Sequence, residues 1–153
     1  MRVSAKADYA VRAAAELAAA QAEEAPAKGE RLADAQDIPL QFLEHILLEL
    51  KHHGIVRARR GAKGGYWLAR PADEVTVAEI VRAVEGPIAH VQSTPPEDIE
   101  YRGHAENLQK VWIAVRASLR TVLEEVTLAD LVSGELPSVV DELTATPDAW
   151  VAR

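Results

Sequence analysis

Apolar residues recur along most of this chain at helical rather than strand-like spacing. Between residues 40 and 52, Leu43, Ile46, Leu47 and Leu50 fall at i, i+3, i+4 and i+7. One face of that helix is therefore buried, and the other, with Gln41, Glu44, His45 and Leu48, is free to meet a partner. Upstream, Ser4 is placed to cap a helix through an alanine-rich run to about residue 20, in which Tyr9, Ala13 and Leu17 stack at i, i+4 and i+8. Residues 23–29, with Pro26, break the pattern and read as a loop. A short helix over about 30–36 then buries Leu32 and Ala33. The turn Asp37-Ile38-Pro39 joins it to the first helix described, with Pro39 suited to the first helical position. Two helices across so short a turn form a helix-turn-helix, whose second helix enters the major groove of DNA.

Gly54 stops that helix. Short strand-like runs at 55–60 and 65–70 flank Gly61-Ala62-Lys63-Gly64-Gly65, predicting a hairpin, or wing. Trp67 is expected to pack beneath it, while Tyr66 is left open. After a connector at 71–74, Thr76 caps a helix whose Val77, Ile80, Val81 and Val84 make a stripe ending at Gly86-Pro87. Residues 88–103 show no period and are expected to be a loop. Leu108, Trp112, Val115, Leu119, Val122 and Val126 then follow at intervals of 4, 3, 4, 3 and 4, a heptad seam on a helix expected over about 104–126. Such a seam wants a partner helix. Dimerisation is favoured, with burial against its own domain as the alternative. Residues 127–132 continue as a short helix, and the tail after Gly134, with Pro137 and Pro147, is expected to be poorly ordered except where Trp150 docks. The fold predicted is mainly α with a small two-stranded β-wing. Residues 1–75 form a winged helix-turn-helix, 76–134 hold effector and dimerisation helices with the loop 88–103, and 135–153 are the tail.

Charge sharpens this picture. The chain of 153 residues carries a net charge of -7, yet residues 51–70 hold six Lys or Arg (Lys51, Arg57, Arg59, Arg60, Lys63, Arg70), two His and no carboxylate. Residues 1–70 have 11 basic and 9 acidic groups, and residues 71–153 have 6 and 15. Phosphate contact explains a basic window on an acidic chain, because each neutralised phosphate releases counterions. A solvated hairpin guarding its own edge needs no such total exclusion of carboxylates. The absence of cysteine rules out disulfides, thiol catalysis and cysteine-ligated zinc or iron–sulfur clusters. Charges at Arg2, Lys6, Asp8, Arg12 and Glu16 interrupt the alanine run, so neither a signal peptide nor a membrane span is expected and the location predicted is cytoplasmic.

A metal enzyme is the rival from another class, resting on His45, His52 and His53. Residues seven and eight apart on one helix lie about 10.5 to 12 Å apart along its axis, too far for one ion. No catalytic residue, metal site or cofactor is therefore expected. His52 and His53 suit the negative end of the helix dipole and a nearby phosphate. A third reading is a protein–protein interaction module with a vestigial winged helix. Asp8 and Arg12 are spaced for an i, i+4 ion pair.

Several segments together resemble the winged-helix repressors of the IscR, NsrR and CymR type, over about residues 1–134. They are Met1-Arg2-Val3-Ser4-Ala5-Lys6 with Tyr9-Ala10-Val11, Phe42-Leu43-Glu44, Gly54-Ile55-Val56, Arg60-Gly61, Gly64-Gly65-Tyr66, Val84-Glu85-Gly86-Pro87-Ile88 and Thr127-Leu128-Ala129-Asp130-Leu131. The Glu-Gly-Pro-Ile segment and Val111-Trp112, in a chain without cysteine, look most like the CymR branch, which represses genes of sulfur and cysteine metabolism. The resemblance implies a homodimer on a palindromic operator of double-stranded DNA. In it, residues 39–52 lie in successive major grooves and the wing lies near the flanking backbone. The DNA-binding set it implies, together with the basic window, is Pro39, Gln41, Phe42, Glu44, His45, Lys51, Arg59, Arg60 and Lys63. Gln41 and Glu44 match base-reading positions, and Arg60 matches a wing arginine. The effector implied is a small molecule or a cysteine-synthase-type partner protein. Two departures stand out. Pro39 replaces a serine common in the family, and the three cysteines that cluster-binding members place in the region of residues 88–103 are missing.

Overall fold

The computed structural model describes residues 2–152. Helix α1 (Ala5–Gln21) starts where Ser4 Oγ accepts the Ala7 amide at 3.0 Å. Ala7, Ala10, Ala13 and Ala14 are buried along it, and side chains this small let neighbouring elements pack close to its backbone. Asp8 and Arg12 pair across one turn at 3.3 Å, as their spacing predicts. Helix α2 (Gly29–Gln36) buries Leu32 and Ala33 and ends at Asp37, whose left-handed conformation (φ 50°) lets the chain turn at once into the next helix.

Helix α3 (Leu40–His52) buries Leu43, Ile46, Leu47 and Leu50, the stripe read from the sequence. Pro39 occupies the N-cap rather than the first helical position, and its carbonyl accepts the Leu43 amide at 3.1 Å. Ile38 and Leu43, the two residues that bracket this start, lie in one core cluster, as in a hydrophobic staple. At the other end Gly54 takes φ 72°, its amide donates to the Lys51 carbonyl at 3.0 Å, and the Ile55 amide donates to Leu50 at 2.9 Å. These are the two hydrogen bonds of a Schellman stop, and buried Ile55 beside buried Leu50 completes it.

Strands β1 (Val56–Arg59) and β2 (Gly65–Leu68) pair antiparallel, with Val56 opposite Leu68 and Arg57 opposite Trp67. Buried Val56 and Leu68 fix the inner face. Tyr66, two residues from Leu68, therefore packs on the core, while Trp67, equally half-buried, takes the opposite face outside the core cluster, reversing the expectation that Trp67 lies beneath the hairpin. The linker before α2 joins this sheet. Ala27 and Tyr66 exchange amide–carbonyl hydrogen bonds of 2.8 Å in both directions.

Helix α4 (Val77–Glu85) and helix α6 (Leu128–Ser133) each open with a capping box, Thr76 with Glu79 and Thr127 with Asp130. They are stitched side by side. The Val77 amide donates to the Val126 carbonyl and the Leu128 amide to Val75, both at 2.9 Å. Ile80, Val84 and Leu128 lie in the same core cluster as Leu17, Leu43 and Leu50, so the core runs across residue 75.

Helix α5 (Leu108–Leu123) differs from every other long helix because none of its residues is buried. It is shorter than expected at both ends. Residues 103–105 form a 3₁₀ turn, and Val126 lies beyond the helix, buried in the junction with α4. Within 88–103, Val91 and Thr94 form an antiparallel bridge and Pro96–Asp98 a 3₁₀ turn with Pro96 buried, so the segment has local order. The tail is also more regular than predicted. Pro137 caps helix α7 (Ser138–Thr144), a 3₁₀ turn spans Pro147–Trp150, and Trp150 is 76% exposed instead of docked.

Candidate nucleic-acid interface

The outer face of α3 presents Gln41, Phe42, Glu44, His45, Leu48 and Lys51 to solvent, with Pro39 exposed just before it. Phe42 is 64% exposed. A bare aromatic on the leading turn of a helix whose opposite stripe is fully packed has no folding role to explain it. Apolar side chains at such positions can meet the thymine methyl, and amides and carboxylates there can meet base edges.

Beside α3 the wing closes a cleft of about 480 Å³, lined by Glu44, Leu47, Leu48 and Lys51 from α3, Arg59 and Arg60 from the hairpin, and Lys28, Gly29 and Glu30 from the start of α2. Lys28 was missed in the sequence reading, although it lies among the basic groups here. It is distant from the basic window in sequence, and only the Ala27–Tyr66 pairing brings it to the tip, where its ammonium donates to the Gly61 carbonyl at 3.0 Å. The Arg59 guanidinium donates to the Lys63 carbonyl at 2.9 Å and the Gly64 amide to Gly61 at the same distance, so the turn that carries Arg60 and Lys63 is closed by its own hydrogen bonds. Gly64 has no room for a side chain. A Cβ there would stand 2.0 Å from the Arg59 carbonyl oxygen. Arg57, paired with Trp67, faces the other side of the hairpin from Tyr66.

Of the residues singled out from sequence, Glu44, Lys51, Arg59 and Arg60 converge on the cleft; Pro39, Gln41, Phe42 and His45 extend it along the exposed helix, and Lys63 stands at the exposed tip. The arrangement is a helix edge able to read bases next to cations able to hold phosphate.

The chain matches the Rrf2 model, described as an iron-dependent transcriptional regulator, over residues 3–134. The chain belongs to the Rrf2 family. It is 49% identical over 143 residues to Rv1287, an inferred HTH-type transcriptional regulator of Mycobacterium tuberculosis, covering 94% of this chain and 88% of the relative. Among solved structures it is similar to CymR, the global cysteine regulator of Bacillus subtilis, with TM-score 0.73 and 32% identity over 87% of this chain and 97% of the other. It is also similar to IscR of T. potens, with TM-score 0.71 and 28% identity over 99% and 97%. The Rrf2 protein is thus a DNA-binding transcriptional regulator with a winged helix-turn-helix, in a family of regulators rather than enzymes.

The family description implies iron, and the donor set of this chain does not fit it. There is no cysteine, and among the described residues no three His, Asp or Glu side chains converge as ligands. In the segment 88–103 the Glu97 carboxylate is committed to Arg116 at 2.7 Å, and on α1 Arg12 is occupied with Asp8 and lies over the Tyr9 ring at 5.1 Å. Among the described residues no helix is long and apolar enough to cross a membrane.

Proposed function

We propose that this Rrf2 protein is a homodimeric, sequence-specific repressor that reads a palindromic operator with α3 and grips the flanking backbone with the wing. The observation that carries the reading is the exposed edge Gln41, Phe42, Glu44 and His45 set beside Lys28, Lys51, Arg59, Arg60 and Lys63 on a protein otherwise acidic. Footprinting on its own upstream region, with a salt titration on matched and scrambled DNA, tests it; equal affinity for both sequences would sink it. The similarity to the cysteine regulator of Bacillus subtilis supports genes of cysteine metabolism as targets, and the family resemblance in the sequence implies a small molecule or a cysteine-synthase-type protein as the signal.

Dimerisation is supported by α5. Leu108, Trp112, Val115, Leu119 and Val122 are all half-buried, and Leu119 and Leu123 face an open apolar groove of about 870 Å³ against Val11, Val77 and Val81. A sixteen-residue amphipathic helix that buries nothing completely in its own chain leaves its apolar stripe for a second copy. Val126 drops out of the interface set, since it serves the α4–α6 junction.

Arg60→Ala and Lys63→Ala are expected to weaken binding to all DNA sequences alike and to shallow the salt slope by up to about one unit per lost phosphate contact. Unchanged affinity and slope in both variants would remove the wing from the interface. Glu44→Ala is expected to change the preferred operator by about 1 to 3 kcal/mol in discrimination, because a carboxylate among phosphates is tolerated where it accepts from cytosine N4. A common shift in affinity for every sequence would make Glu44 a bystander.

A further inference from the structure

Residues 71–153 hold only six Lys and Arg among fifteen carboxylates, yet three of the six, Arg82, Arg116 and Arg120, line one cleft of about 490 Å³. His53 from the end of α3 and His90 from the segment after α4 complete its basic wall. Four separate parts of the fold thus meet at one concave surface, which shares no lining residue with the cleft beside the wing. The charge is held ready by two carboxylates. Glu97 accepts from Arg116 at 2.7 Å, and Glu124 accepts from both Arg82 and Arg120, the latter at 2.9 Å. Backbone hydrogen bonding and then the Arg116 guanidinium hold the Glu97 carboxyl below its usual range, and hydrogen bonds from Arg82 and then Arg120 do the same for Glu124. Three guanidinia against two carboxylates leave an excess of positive charge. Each guanidinium has five N–H groups and gives one of them to these carboxylates, so donors remain for a ligand.

We propose that this cleft is a binding site for a small polyanion with two or more carboxylate or phosphate groups, which takes over Arg116 from Glu97. Glu97 is the central residue of the 3₁₀ turn Pro96–Asp98 that holds the segment 88–103 against α5, where the Gln109 amide also donates to the Glu97 and Ile99 carbonyls at 3.0 and 2.9 Å. Exchange of one carboxylate for another at Arg116 loosens that turn from α5 in a cleft that His53, its Nδ1 set against the Glu49 carbonyl at 3.0 Å, borders at the end of the recognition helix. Operator phosphate is not the natural occupant. His53 lies twelve residues from Gln41, about 18 Å along the helix from its base-reading end.

The site is separate from the DNA-facing surface, and ligand binding is measured on the free protein, so failure of either reading leaves the other standing. Titration calorimetry at fixed ionic strength with citrate and with inorganic pyrophosphate is expected to show one site per chain for at least one of them, and which one binds assigns carboxylate or phosphate. Arg116→Gln and Arg82→Gln should each weaken that binding tenfold or more. Glu97→Gln should strengthen it, because it frees Arg116; a merely structural role for the Glu97–Arg116 pair predicts no such opposite signs. No binding of either probe, or weakening by Glu97→Gln, overturns the proposal. So does a shallower operator salt slope in Arg116→Gln, which would make the anion a DNA phosphate.

Discussion

Leu119→Glu is expected to yield monomers whose helical content is retained and whose operator affinity falls by far more than any single DNA contact could explain. Leu119 is the fourth of the five residues of the α5 stripe, half-buried over the apolar groove. In a two-fold pair a carboxylate there meets its own copy or an apolar wall, at a cost on the order of several kcal/mol per dimer. The loss of DNA binding follows from geometry. Half-sites lie about one helical turn apart, and only a fixed dimer holds two α3 helices at that separation. Ala117→Glu, on the exposed side of the same helix, is the control and should leave the dimer intact. Sedimentation decides: a stable Leu119→Glu dimer with full operator binding would place the two-fold axis elsewhere.

Gly64→Ala is expected to disable the wing without unfolding the body. The added methyl would collide with the carbonyl oxygen of Arg59 and with the carbonyl carbons of Arg59 and Arg60, all backbone atoms with no rotamer to yield. Overpacking of this kind costs about 1 to 3 kcal/mol. The turn must open, breaking the Gly64–Gly61 and Arg59–Lys63 hydrogen bonds that fix the tip. Arg60 and Lys63 move together, so the salt slope should fall by about two units, more than either alanine replacement alone. Melting temperature and salt slope measured on one preparation test this; a normal slope would show that the tip does not touch phosphate.

Periodicity made most of the helical fold legible, because α1, α3 and α4 each bury a stripe that can be counted off the sequence. Spacing failed where it had no means of seeing a stop. The heptad count runs smoothly from Val122 to Val126, but the helix ends at Leu123 and Val126 is recruited by the Val77 amide, a partner 49 positions away. An aromatic residue in a wing strand is expected beneath the hairpin, but which of two adjacent aromatics goes there depends on register: the inward side of the strand is set by Leu68, and alternation places Tyr66, not Trp67, inside. The basic window was visible as composition, whereas Lys28 joins it only through pairing between Ala27 and Tyr66. No local pattern announces that pairing. The two prolines of the tail suggest disorder, whereas Pro137 stands at the start of α7, a position where proline costs a helix nothing.

The two-way clasp between Ala27 and Tyr66 also limits how far the wing can be treated as a portable part. A two-stranded hairpin of four-residue strands is barely stable alone, and here a third piece of chain, from before the helix-turn-helix, covers the edge of β2 and delivers a lysine to the tip. Grafting residues 56–68 onto a relative would transfer the arginines and leave their brace behind. Specificity exchanges between such regulators therefore have to carry the linker before α2 together with the hairpin, two stretches that act as one unit though nearly thirty residues separate them.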